Sequence, residues 1–124
     1  MILIDTNIFV DHLRGYKPAI NFFESILERE DILFSAITES ELVAGKDCED
    51  FDKKEKLLHF LHTWEKIPVS NIIAIHAGDI SRNHNISIPD SIIAATAILT
   101  KSELLTKNVG DFKNIENLKV REPY

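Results

Sequence analysis

Asp5, Glu41, Asp90 and Asp111 are the residues whose type and placement could do chemistry together. If they converge, their charges repel, and burial raises the cost. A fold keeps such a cluster when a cation neutralises it. Donors that are all oxygen suit Mg²⁺ or Mn²⁺ better than Zn²⁺, and Mg²⁺ usually retains waters and takes up phosphate oxygens. A cation so held polarises a phosphodiester and makes an attacking water more acidic. Thr6, Ser35, Thr106 and Asn108 fall close to the same acids in sequence. Each could bind a carboxylate, a water or a phosphate in support.

Every one of these residues also has an ordinary structural explanation. Thr38-Glu-Ser-Glu41 fits a capping box, with Glu41 reaching back to the Thr38 backbone N–H. Ser87-Ile-Pro-Asp90 fits the same pattern more loosely. Asp5 is suited to start a turn or cap a helix, and Asp111 in Asn108-Val-Gly-Asp111 reads as a turn residue. Thr6, Ser35, Thr106 and Asn108 taken singly read as caps or turns.

The elements that must position the acids follow from the apolar pattern. Short strands are predicted at Ile2–Ile4, Ile32–Phe34, Ile67–Val69, Leu104–Thr106 and Leu118–Val120. Helices are predicted at Ile8–Leu13, from Pro18 through Leu27, at Thr38–Lys46, Asp50–Trp64, Asn71–Asn83 and Pro89–Thr100. The last of these is apolar nearly all round, hence buried. Strands alternating with helices predict an α/β protein with a parallel sheet covered on both faces. Ligands of such sheets bind beyond the carboxyl ends of the strands. Asp5, Glu41 and Asp111 all follow strands, so they should gather at that edge.

Bulk properties narrow the class. The 124 residues suit one domain, 1–124, with no repeat or linker. The single cysteine, Cys48, excludes an intrachain disulfide and fits a reducing, cytoplasmic home. The first apolar run is too short for a signal-peptide core, and no stretch approaches the ~18 apolar residues of a membrane span. A net charge of −6 argues against nucleic-acid binding unless a cation neutralises the acids. The histidines form no zinc pattern, although His59 and His62 stand at helical spacing. Arg14, Lys46, Lys107 and Lys113 lie in or near the acid-bearing segments and could steer a polyanion.

Four segments together resemble the PIN-domain family, and within it the VapC-type toxins of toxin–antitoxin pairs. They are Ile2-Leu-Ile-Asp5-Thr-Asn-Ile-Phe-Val-Asp11 and Ser35-Ala-Ile-Thr38-Glu-Ser-Glu41-Leu-Val-Ala-Gly45. Ile88-Pro-Asp90-Ser-Ile-Ile-Ala-Ala-Thr96-Ala and Leu105-Thr-Lys-Asn108-Val-Gly-Asp111-Phe complete the set. The resemblance implies an α/β/α sandwich with a short central parallel sheet. It implies a Mg²⁺- or Mn²⁺-dependent endoribonuclease that cuts RNA, usually as a homodimer, held inactive by a cognate VapB-like antitoxin. By motif, Asp5, Glu41 and Asp90 match the family's most constant metal ligands and catalytic acids. The family places acidic or amide residues at both the Asn108 and Asp111 positions, so Asp111 is the only carboxylate of that pair. Thr6 and Thr106 match supporting positions.

Two other readings make different demands. A PIN-like binding module without catalysis would not need the three main acids, which are present. A phosphorylatable receiver domain would need an Asp after the third strand, and none follows Ile67–Val69.

Overall fold

The computed structural model describes residues 1–124. Five parallel strands form one sheet in the order β3-β2-β1-β4-β5. They are β1 (Ile2–Ile4), β2 (Ile32–Ser35), β3 (Glu65–Ile67), β4 (Glu103–Leu105) and β5 (Lys119–Arg121). The helices are α1 (Thr6–Leu13), α2 (Lys17–Ser25), α3 (Ala36–Val43), α4 (Phe51–Leu61), α5 (Asn71–His84), α6 (Ile88–Thr100) and the short α7 (Val109–Phe112). A 3₁₀ turn, Lys46–Glu49, links α3 to α4. The expected α/β/α sandwich is what the chain forms.

The central strands are apolar on both faces because both faces are covered. Side chains alternate across a strand. Ile2, Ile4, Ile32, Phe34 and Leu105 accordingly enter one core with Phe9, Phe23, Leu57 and Trp64. Leu3, Leu33 and Leu104 enter the opposite core with Ile73, Ala77, Ile93 and Phe112. Helix α6 buries Ala94, Ala95 and Ala97 completely, which lets α5 pack closely against it.

Three expectations shift. The third strand ends at Ile67 and pairs Leu33 with Glu65 and Ser35 with Ile67. Pro68 lacks the N–H needed to continue the ladder, so the strand extends backward into polar residues at a sheet edge. The helix expected from Thr38 starts at Ala36, because the Ser35 hydroxyl accepts the Ile37 N–H at 3.1 Å and caps it. Glu41 is therefore not a capping-box residue. The fourth helix stops at Leu61, short of Trp64.

At α6 the cap is as expected. The Ser87 hydroxyl accepts the Asp90 N–H at 3.3 Å. Ser87→Ala should cost about 1 kcal/mol of stability. A lower urea midpoint at unchanged denaturant slope would record it.

Candidate active site

The register of the sheet brings the acids together. β1 lies between β2 and β4, so the residues that follow each of them share one edge. The Asp5 N–H continues the β1–β4 ladder by donating to the Leu105 carbonyl at 3.0 Å. Asp5 then turns the chain into α1 as its N-cap, with Oδ1 accepting the Thr6 N–H at 2.8 Å. Its other oxygen, Oδ2, accepts the Thr106 hydroxyl at 2.7 Å.

Asp5 is only 3% exposed. Burial pushes its carboxyl up to about 6, while the Thr106 and Thr6 hydrogen bonds pull it back and the charges of Asp90 and Glu41 push it up again. The same carboxylate is thus held by donors and opposed by two neighbouring acids. This electrostatic conflict is relieved by a cation.

Glu41 lies near the end of α3, exposed, and accepts the Thr6 hydroxyl at 2.8 Å. That hydroxyl is 2.9 Å from the buried Thr38 hydroxyl. Thr6 has one O–H, which goes to Glu41, so the Thr38 hydroxyl donates to Thr6. Asp90 sits in the first turn of α6 with its amide capped by Ser87. Asn108 follows β4, its N–H donating to the Thr106 hydroxyl oxygen at 3.0 Å.

A polar cavity of about 320 Å³ is lined by Asp5, Glu41, Asp90 and Asn108, together with Thr6, Asn7, Asp11 and Arg14. Asp5, Glu41, Asp90 and Asp11 line this space, but no three of the acids are drawn together closely enough to grip an ion by themselves. An all-oxygen donor set with room left for waters fits a Mg²⁺-type cation. Three of the four acids singled out in the sequence meet here. Asp111 does not line the cavity; it stands exposed on α7, and Asn108 faces the cavity in its place. The hydroxyls of Thr6 and Thr106 donate to Glu41 and Asp5, whereas Ser35 serves as a helix cap.

Among the basic residues, Arg14 lines the cavity. Lys107 turns away from it, donating to the Tyr124 main-chain oxygen at 2.6 Å. Asn7 and Asp11 were not singled out as site residues. Their signal was helical spacing: positions 7, 11 and 14 share the face of α1 that begins beside Asp5. His59 and His62 are exposed, and His12 stacks on Phe60 with ring centroids 4.5 Å apart.

The support of Asp5 by Thr106 has a measurable consequence. Thr106→Val removes a hydrogen bond to a charged group, worth about 1.5 kcal/mol. The Asp5 carboxyl of the cation-free protein should then titrate roughly one pH unit higher. Carbon-detected NMR titration of Asp5 reads this directly. An unchanged midpoint would remove Thr106 from the site's electrostatics.

Comparison with known proteins bears on the fold and the family. The PIN domain family model matches residues 2–118. Ribonuclease VapC10 of Mycobacterium tuberculosis is 32% identical over 124 residues, spanning 96% of this chain and 91% of its own. Ribonuclease VapC19 of the same organism is 35% identical over 130 residues, spanning 100% of both. A solved toxin–antitoxin complex from Klebsiella pneumoniae contains a chain that superposes with a TM-score of 0.84 at 31% identity, covering 100% of this chain and 98% of that one. The chain belongs to the PIN-domain family, among its VapC-type toxin ribonucleases.

Proposed function

We propose that Asp5, Glu41 and Asp90 are the catalytic cluster of this endoribonuclease, and that they hold Mg²⁺ or Mn²⁺ to hydrolyse RNA phosphodiester bonds. The observation that carries the proposal is the buried Asp5 carboxyl, held at about 6 by burial and by the facing charges of Asp90 and Glu41. Asn108 is assigned as the fourth position of the site, with Asp111 outside it. When bound, the cation supplies Lewis-acid activation of the phosphodiester and of the attacking water.

The chain's own residues prepare that chemistry. Thr106 and the Thr6 amide hold both oxygens of Asp5 in one orientation. The Thr6 hydroxyl, backed by Thr38, aims Glu41 into the same cavity. Arg14 contributes a guanidinium there, a donor set matched to phosphate oxygens. The net charge of −6 is then no obstacle at the reaction centre, where the cation offsets the acids.

The rest of residues 1–124, read as one cytoplasmic nuclease domain, offers surfaces for the partners. A larger cavity of about 660 Å³ adjoins the site, shares Val10, Arg14 and Glu41 with it, and adds Leu13, Leu42 and Phe60. We assign it to a segment of a cognate antitoxin, which would block the site from the side. Ile72 and Ile75, 67% and 70% exposed and one turn apart on α5, suit a homodimer contact. No helix is long and apolar enough to cross a membrane.

The test is cleavage of a mixed RNA pool by the purified protein. Mg²⁺ or Mn²⁺ should support internal cuts, and a chelator should stop them. Cutting that persists in chelator, or none with any divalent ion, would refute the proposal.

A further inference from the structure

Tyr124 lies beyond the last strand, yet it touches Asp11 in the wall of the acidic cavity and Lys107 on the loop after β4. Its hydroxyl donates to Asp11 Oδ2 at 2.6 Å, and Asp11 lines the cavity from α1. Its main-chain oxygen accepts the Lys107 ammonium at 2.6 Å, and that ammonium also lies 4.7 Å from the Tyr124 ring centre. Lys107 is flanked by Thr106, which holds Asp5, and by Asn108, which faces the cavity. The Lys107 N–H also donates to Asn7 on α1, at 3.4 Å. The ring is seated against Tyr16 and Phe22, with centroids 5.9 and 6.2 Å away.

We propose that Tyr124 is a positioning residue of the nuclease site: it ties Asp11 on α1 to Lys107 on the loop after β4, and so holds the two walls that carry Asp5 and Asn108 at a fixed separation. This rests on the reading of the cavity as a cation centre. Burial, and next the bond to Asp11, raise the phenol above its ordinary range, so the hydroxyl remains a donor. The tie also keeps the Lys107 ammonium turned toward the chain's end. Once free, that ammonium could act as an internal counter-ion to the carboxylates and compete with a divalent cation.

Tyr124→Phe removes the hydroxyl and keeps the ring. In the cation-free variant, the Asn108 amide should exchange its hydrogen several-fold faster than in the parent. Mn²⁺, followed by its paramagnetic signal, should bind threefold to tenfold more weakly, with the melting temperature within about 2 °C of the parent. Asp11→Ala should reproduce both effects, and Tyr124→Phe made in that background should add nothing further. Parental Mn²⁺ affinity and exchange in Tyr124→Phe would overturn the proposal. So would effects of the two substitutions that multiply, or a lowered melting temperature with Mn²⁺ affinity intact. A parent that binds no Mn²⁺ would sink the reading of the site and this role with it. The exchange arm would still report separately on the tie.

Discussion

Asp5→Asn should lower the rate of RNA cleavage about a thousandfold while leaving the fold intact, a loss of roughly 4 kcal/mol of transition-state stabilisation. The substitution changes neither the size nor the planarity of the side chain. It removes the one negative charge that is buried and oriented by two donors, from Thr106 and from the Thr6 amide. An amide is a far weaker ligand for a hard cation than a carboxylate. The loss should appear in the turnover rate, with circular dichroism and cooperative unfolding like the parent's. Cleavage within tenfold of the parent would mean that Asp5 is only a helix cap.

The same substitution should have the opposite sign on stability when no cation is present. Folded protein holds a proton on Asp5 up to about pH 6, whereas the unfolded chain releases it near the ordinary value of 3.8. Between those values the native state binds more protons than the unfolded one. Stability therefore falls as pH rises through the window, and the loss persists above it. The gap corresponds to about 3 kcal/mol. Asn carries no such penalty. It cannot, however, reproduce both hydrogen bonds, since the Thr106 oxygen already accepts the Asn108 N–H and the Asn7 side-chain amide. That mismatch costs about 1 kcal/mol. In chelator, Asp5→Asn should be roughly 2 kcal/mol more stable than the parent at pH 8 and slightly less stable at pH 4. Urea unfolding at the two pH values checks this. The same difference at both would show that the Asp5 charge is not what strains the fold. A saturating divalent ion should erase the advantage, because it stabilises the parent by mass action.

Much of the site was legible from local pattern. Ile2–Ile4 followed by Asp5 reads as a short buried strand ending in an acid, and the parallel architecture then places Asp5 at the carboxyl edge. Asp90 at the start of a helix built for burial carried the same message. The mistaken details have physical causes. Thr38 and Glu41 match a capping box, but Ser35 lies nearer the end of β2 and captured the cap first. That freed Thr38 to back Thr6, a contact between residues 32 apart in sequence. Glu65–Ile67 is polar because an edge strand is half in solvent, so no apolar run announced it. Asn108 and Asp111 are separated by the first turn of α7, and sequence does not say which of two ends of a short turn faces inward. Lys107 looked like a phosphate-steering residue until the chain's last residue reached it. Tyr124 itself carried no signal, since its partners on α1 and after β4 meet it only through the fold.

Calorimetric titration of Mg²⁺ or Mn²⁺ into the parent and into Glu41→Gln, with RNA cleavage measured on the same preparations, bears most directly on the carboxylate cluster. Gln can still accept the Thr6 hydroxyl through its amide oxygen, so the fold should survive. The parent should bind the ion and cut RNA. Glu41→Gln should remain folded, bind the ion more weakly and fail to cut. Cleavage by Glu41→Gln at the parental rate would contradict the assignment of this cluster as the ribonuclease centre.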